Sequence, residues 1–203
     1  MRPEDFGIHR YTEHEDGSIS VFHNVNLNYI LNYKNLKKLP FKFKKITGSF
    51  WCSYNKLSSL EGAPQEISHN FYCSYNNITS LNHAPKIVGH NFYCHVNNLS
   101  SLKHSPEIIH GRFACSHNKL VSLEGAPQEI GGTFICSYNT LTSLKGAPLK
   151  VGRDFFCSQN TIEFKEGKRK DFSRDPVLLA FKESLNIVDT VRQICQVKRK
   201  VFV

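Results

Sequence analysis

Cys52, Cys73, Cys94, Cys115, Cys136 and Cys157 stand 21 residues apart, and Asn55, Asn76, Asn97, Asn118, Asn139 and Asn160 keep the same spacing. Two ladders in fixed phase require a structural repeat. The full unit reads FWCSYNKLSSLEGAPQEISHN at 50–70, recurs in four further copies, and ends in a truncated FFCSQNTIEF from Phe155. A period in the low twenties with Leu, Cys and Asn at set offsets is the mark of a solenoid whose turns each give one short strand, because one turn cannot bury its own apolar face. The segment 29–49 is a degenerate earlier copy, with Leu31, Leu36, Leu39 and Ile46 in register and Lys34 where the others have Asn. It reads as an edge turn.

The columns have separate jobs. Phe at the first position and Cys at the third alternate inward on a strand, and Leu or Ile at the eighth and Leu at the eleventh complete four core residues per turn. Cysteine suits the ladder as a small, easily buried hydrophobe. Parallel Cβ vectors oppose a disulfide, so free thiols are expected. A buried Asn amide must satisfy both its donors and its acceptor, and neighbouring turns offer backbone groups at each step. Gly-Ala-Pro and Ile-Gly supply turn and extended geometry on the return side.

The pattern resembles the leucine-rich-repeat family, particularly the short-repeat bacterial effectors, although Cys stands where those carry an aliphatic residue. The wording C-S-x-N-x-L-x-S-L-x-G-A-P, preceded by EDGSISVFHNVNL and KKLPFKF, is similar to repeat proteins of tailed bacteriophages. The resemblance covers about residues 15–164. It implies a leucine-rich-repeat-like, mostly β solenoid with a parallel sheet on one face and irregular return segments. For function it implies protein recognition, since the repeat is a scaffold.

Three segments are expected: an N-terminal tail and cap over 1–28, the solenoid over 29–164, and a basic connection with a C-terminal capping helix over 165–203. Asp16-Gly17 makes a turn, and Ile19, Val21, Val25 and Leu27 suit a strand or hairpin closing the stack. Asp175 and Pro176 suit a helix start. Leu178, Phe181, Leu185, Val188 and Cys195 follow at near-helical spacing to about residue 198, with basic Lys198, Arg199 and Lys200 beyond. The polar first twenty residues lack the apolar core of a secretory signal, and no apolar run has membrane-spanning length, so a cytoplasmic protein without membrane contact is expected.

With Phe and Cys inward, the residue between them and the residue after Cys are expected to face outward. The between position reads Trp51, Tyr72, Tyr93, Ala114, Ile135 and Phe156; the position before each Asn reads Tyr54, Tyr75, Val96, His117, Tyr138 and Gln159. Together with His95 they form an aromatic stripe of about 29 Å over seven strands. Exposed rings in that number mark a binding face, with cross-strand stacking as the purely structural alternative. The candidate partner-binding residues are therefore Trp51, Tyr54, Tyr72, Tyr75, Tyr93, His95, His117, Ile135, Tyr138 and Phe156.

No Gly-rich phosphate loop, nucleophile–base pair or Cys-x-x-Cys is present, so no enzyme activity, cofactor or metal is expected. A site built from His95, His117 and the cysteines fails on alternation, because the cysteines point inward. The effectors of this kind that act as ubiquitin ligases carry a large separate catalytic domain, and the roughly forty residues after Phe164 are too few for one. The leading reading is a non-enzymatic module that engages a protein partner, a bacterial host protein if the chain is phage-encoded. The formal charge of +9 supports a second reading, a nucleic-acid or nucleotide binder using rings and basic groups. A third is a self-assembling homo-oligomer that pairs through open solenoid edges.

Overall fold

The computed structural model describes residues 1–27, 35–161, 192 and 195–202. Each turn gives two short strands, of two residues in all but the first back strands, one on either side of a tight corner. The front strands are β3 (Val25–Asn26), β5 (Phe50–Trp51), β7 (Phe71–Tyr72), β9 (Phe92–Tyr93), β11 (Phe113–Ala114), β13 (Phe134–Ile135), β15 (Phe155–Phe156) and β17 (Val201–Phe202). They form one parallel eight-stranded sheet in which Phe pairs with Phe in register along most of its length.

The back strands are β2 (Ile19–Val21), β4 (Phe43–Ile46), β6 (Glu66–Ile67), β8 (Ile87–Val88), β10 (Ile108–Ile109), β12 (Glu129–Ile130), β14 (Lys150–Val151) and β16 (Gln196–Val197). The return segments thus hold a second parallel sheet. It is split into two parts, because β8 and β10 are not joined by ladder hydrogen bonds. At the N-terminal edge β1 (Tyr11–Glu13) pairs antiparallel with β2 around the expected Asp16-Gly17 turn. Phe6 and Ile8 are buried beneath this hairpin, and the Phe6 ring meets Phe41 edge-on at 5.3 Å. No helix among the described residues is long and apolar enough to cross a membrane.

The four core columns read from the sequence are buried, and a fifth joins them: Ile46, Ile67, Val88, Ile109, Ile130 and Val151, one per turn on the back strands. The cysteines are free and buried in single file. Burial pushes their thiols up, to about 12 at Cys157 and about 11 at Cys195, so none is a ready thiolate nucleophile. The Asn ladder closes with full satisfaction of each amide. Asn76 accepts from the Leu57 N–H of the preceding turn and donates to the carbonyls of Cys52, Cys73 and Ser74. The carbonyls of Cys52, Cys73, Cys94, Cys115 and Cys136 thereby each serve their own Asn and the next one.

The C-terminal capping helix, expected to run to about residue 198, is corrected at residues 195–198. Cys195 precedes β16, which pairs with β14, and β17 pairs with β15, so the chain end adds another turn to the stack. Asp175, Pro176, Leu178, Phe181, Leu185 and Val188 lie outside the described residues, as do Leu31 and Lys34 of the degenerate turn. The phase explains why the last turn was hidden. Val151 lies 15 positions after Cys136, whereas its partner Val197 lies 40 after Cys157. An insertion interrupts the period, yet V-K-R-K-V-F still matches the I-x-x-x-F-x of the earlier turns.

Candidate functional site

The expected single stripe is two ladders, both interrupted in mid-solenoid. On the strands, Trp51, Tyr72 and Tyr93 stack with centroids 5.4 and 4.9 Å apart and planes within 5°. The small, buried Ala114 ends this run, Ile135 continues it as a half-buried aliphatic rung, and Phe156 stacks on Phe202 at 4.2 Å. Trp51, Tyr72, Tyr93 and Phe156 are half-buried because each is covered by its neighbours, and they hold the sheet together as well as facing outward.

The second ladder lies just beyond the strand ends. Tyr54 stacks on Tyr75 at 4.4 Å and His117 on Tyr138 at 4.3 Å, with Val96 between the two pairs. Tyr54, Tyr75 and Tyr138 are 65%, 41% and 51% exposed. Every residue of this column has left-handed backbone, with φ between 52° and 57° from Tyr54 through Val96 to Gln159. That conformation costs an ordinary side chain about 1–2 kcal/mol and favours Gly or Asn. Aromatic side chains stand instead at four of the six positions.

The residue after each Cys of the ladder is buried or half-buried rather than facing outward as expected. Ser53, Ser74 and Ser137 are buried. The strand is only two residues long, so the chain bends away immediately after Cys and strict alternation stops there. His95 is the departure in this column. It is half-buried, lies 2.8 Å from the Ser74 hydroxyl through Nδ1, and meets the Tyr75 and Tyr93 rings edge-on. It thus bridges the two ladders.

Burial first, and then the nearby His117, hold the His95 imidazole below the ordinary histidine value. The unfolded chain takes up this proton near pH 6.5 and the folded one only at lower pH, so this contribution to stability is present above 6.5 and is lost as pH falls below it. His95→Ser, the repeat's own residue, is expected to flatten the fall in melting temperature between pH 7 and pH 5. Identical pH profiles for the two proteins would contradict this account.

On the back face the seam between β8 and β10 opens into a groove of about 760 Å³ that sequence reasoning did not single out. Ile87 and Ile108 flank it as exposed apolar side chains, where neighbouring turns place the Lys45–Glu66 and Glu129–Lys150 ion pairs. His83 and His104 take positive φ at positions held by Gly62, Gly125 and Gly146 in the other turns. The signal was available as departures from Gly-Ala-Pro in the two middle repeats.

The described residues hold no cluster of three or more His, Cys, Asp or Glu able to share a metal ion. Comparison with known proteins finds no matching family model, no matching curated protein and no matching solved structure.

Proposed function

We propose that this chain is a non-enzymatic binding module of the cytoplasm that takes a protein partner on the front face of its solenoid. The observation that carries the reading is the outer ladder. Tyr54, Tyr75 and Tyr138 are exposed rings on a left-handed backbone that Asn or Gly would occupy at lower cost. Stacking in pairs offsets part of that cost but leaves one face or edge of each ring to solvent. Tyrosines on a rigid scaffold give large contact area with little entropy lost on binding, which is the character of interface anchors. The inner ladder of Trp51, Tyr72 and Tyr93, with His95, His117, Ile135 and Phe156, forms the floor beside them.

The resemblance to phage repeat proteins favours a bacterial host protein as the partner. The test uses Tyr54→Asn, Tyr75→Asn and Tyr138→Asn together, because Asn tolerates left-handed backbone and keeps stability within about 1–2 kcal/mol. The intact protein is expected to retain a discrete protein from bacterial lysate in affinity capture, and the triple variant, melting within a few degrees of it, is expected to lose it. Equal capture by both would overturn the reading. Truncating Trp51, Tyr72 and Tyr93 is a poorer test, since those rings also support the sheet.

A further inference from the structure

We infer that the C-terminal corner of the solenoid is a second, separate binding surface, for the phosphate backbone of a single-stranded nucleic acid. Lys198, Arg199 and Lys200 are not a trailing basic tail. They form the corner between β16 and β17, where the Lys198 and Arg199 amides donate to Val151 and Arg153 of the preceding turn. This register stacks Arg199 over Arg153, with Lys198 over Gly152 and Lys200 over Asp154. Arg112 lies on the same edge, three rungs below Lys200, about 14 Å away.

All five side chains are exposed, and none is in an ion pair with a described residue. One acid lies among them: Asp154, whose carboxylate accepts from the Lys200 amide. The neighbouring Glu129 is engaged by Lys150. Among the described residues the surplus of positive charge is local and unpaired.

The corner also has shape. A notch of about 230 Å³ runs along it, with His110 and Lys198 in line with the glycines Gly131 and Gly152 between them and the Glu129–Lys150 pair on the rim. A Cβ on either glycine would run into a carbonyl oxygen of the turn below, so stacking keeps both positions free of side chains and the floor of the notch is bare backbone. Two residues past Lys200, Phe202 is 40% exposed and, among the described residues, stacks only on Phe156. It is the last ring of the inner ladder among the described residues, and a base laid on it would continue the ladder. Cations tracking a backbone beside a stacking ring are the combination that single-strand binders use, whereas an acidic peptide needs the cations alone.

The test measures fluorescence anisotropy of labelled oligothymidylate of about 20 nucleotides with the intact protein. Contact with four or five phosphates predicts that affinity falls about 50-fold or more between roughly 50 and 200 mM salt. Arg153→Glu, Lys198→Glu and Arg199→Glu together are expected to weaken binding by about tenfold or more at low salt. Phe202→Ala is expected to cost about fivefold or more and to leave binding of polyglutamate unchanged. The Tyr54, Tyr75 and Tyr138 variant is expected to bind the oligonucleotide as the intact protein does, which separates this surface from the front face. Undiminished binding by the charge-reversed variant overturns the proposal. Polyglutamate binding as tight as oligothymidylate, with Phe202→Ala affecting neither, assigns the corner to acidic protein instead and also overturns it.

Discussion

Asn76→Leu is expected to destabilise the solenoid by about 3–5 kcal/mol, one of the largest effects of any single substitution in this chain. The side chain is isosteric enough to fill the space, so the loss is polar. The Leu57 N–H, buried and bonded to the Asn76 carbonyl oxygen at 3.0 Å, is left without a partner. The Cys52 and Cys73 carbonyls keep one donor each, from Asn55 and Asn97, because the ladder is shared between turns. The effect should depend on position. Asn160 in the truncated last copy is only part-buried, and Asn160→Leu is expected to cost about half as much. Chemical denaturation of both variants measures this; a cost near 1 kcal/mol or below at Asn76 would mean that the amides are incidental to the stack.

Ending the chain at Cys195 is expected to cost about 3–5 kcal/mol and to unravel the sixth turn before the rest. Residues 196–202 cover Val151 and Phe155, both fully buried, and stack Phe202 on Phe156. Their carbonyls also accept from the Phe155 and Cys157 amides at 2.8 Å. In a solenoid each turn touches only its neighbours, so the loss is local: hydrogen exchange should quicken at Phe155 and Cys157 while Phe71 and Cys73 stay protected. Unchanged protection at Phe155 and Cys157 would mean that residues 196–202 do not cover the preceding turn. The same deletion removes most of the basic corner, so oligonucleotide affinity should fall with it.

Both predictions turn on what one turn supplies to the next, and this is where reading the chain by itself reached its limit. The Asn and Cys columns were legible because the repeat writes each requirement several times. A position that is always Phe or always Cys across turns is core whatever its local propensity. The fifth core column was visible as Ile or Val in every turn, but beside Gly it read as turn geometry. The burial of Ser53, Ser74 and Ser137 was not legible, since period-two alternation assumes a strand longer than the two residues these turns use. Left-handed backbone at Tyr54 and its column was hidden too, because aromatic residues rarely take it and nothing local announces it.

The sequence by itself determined the period, the coiled parallel architecture, the in-register core columns and the outward placement of rings such as Tyr54 and Tyr138, because these follow from side-chain chemistry repeated at one spacing. Only the tertiary structure decided that residues 196–202 add a turn to the stack, that the back sheet opens between Ile87 and Ile108, and that Arg199 stacks over Arg153. Those features depend on hydrogen bonds between residues tens of positions apart, across an insertion that breaks the phase of the repeat. Spacing along the chain carries no record of such partners, and the closing of one turn on another supplies it.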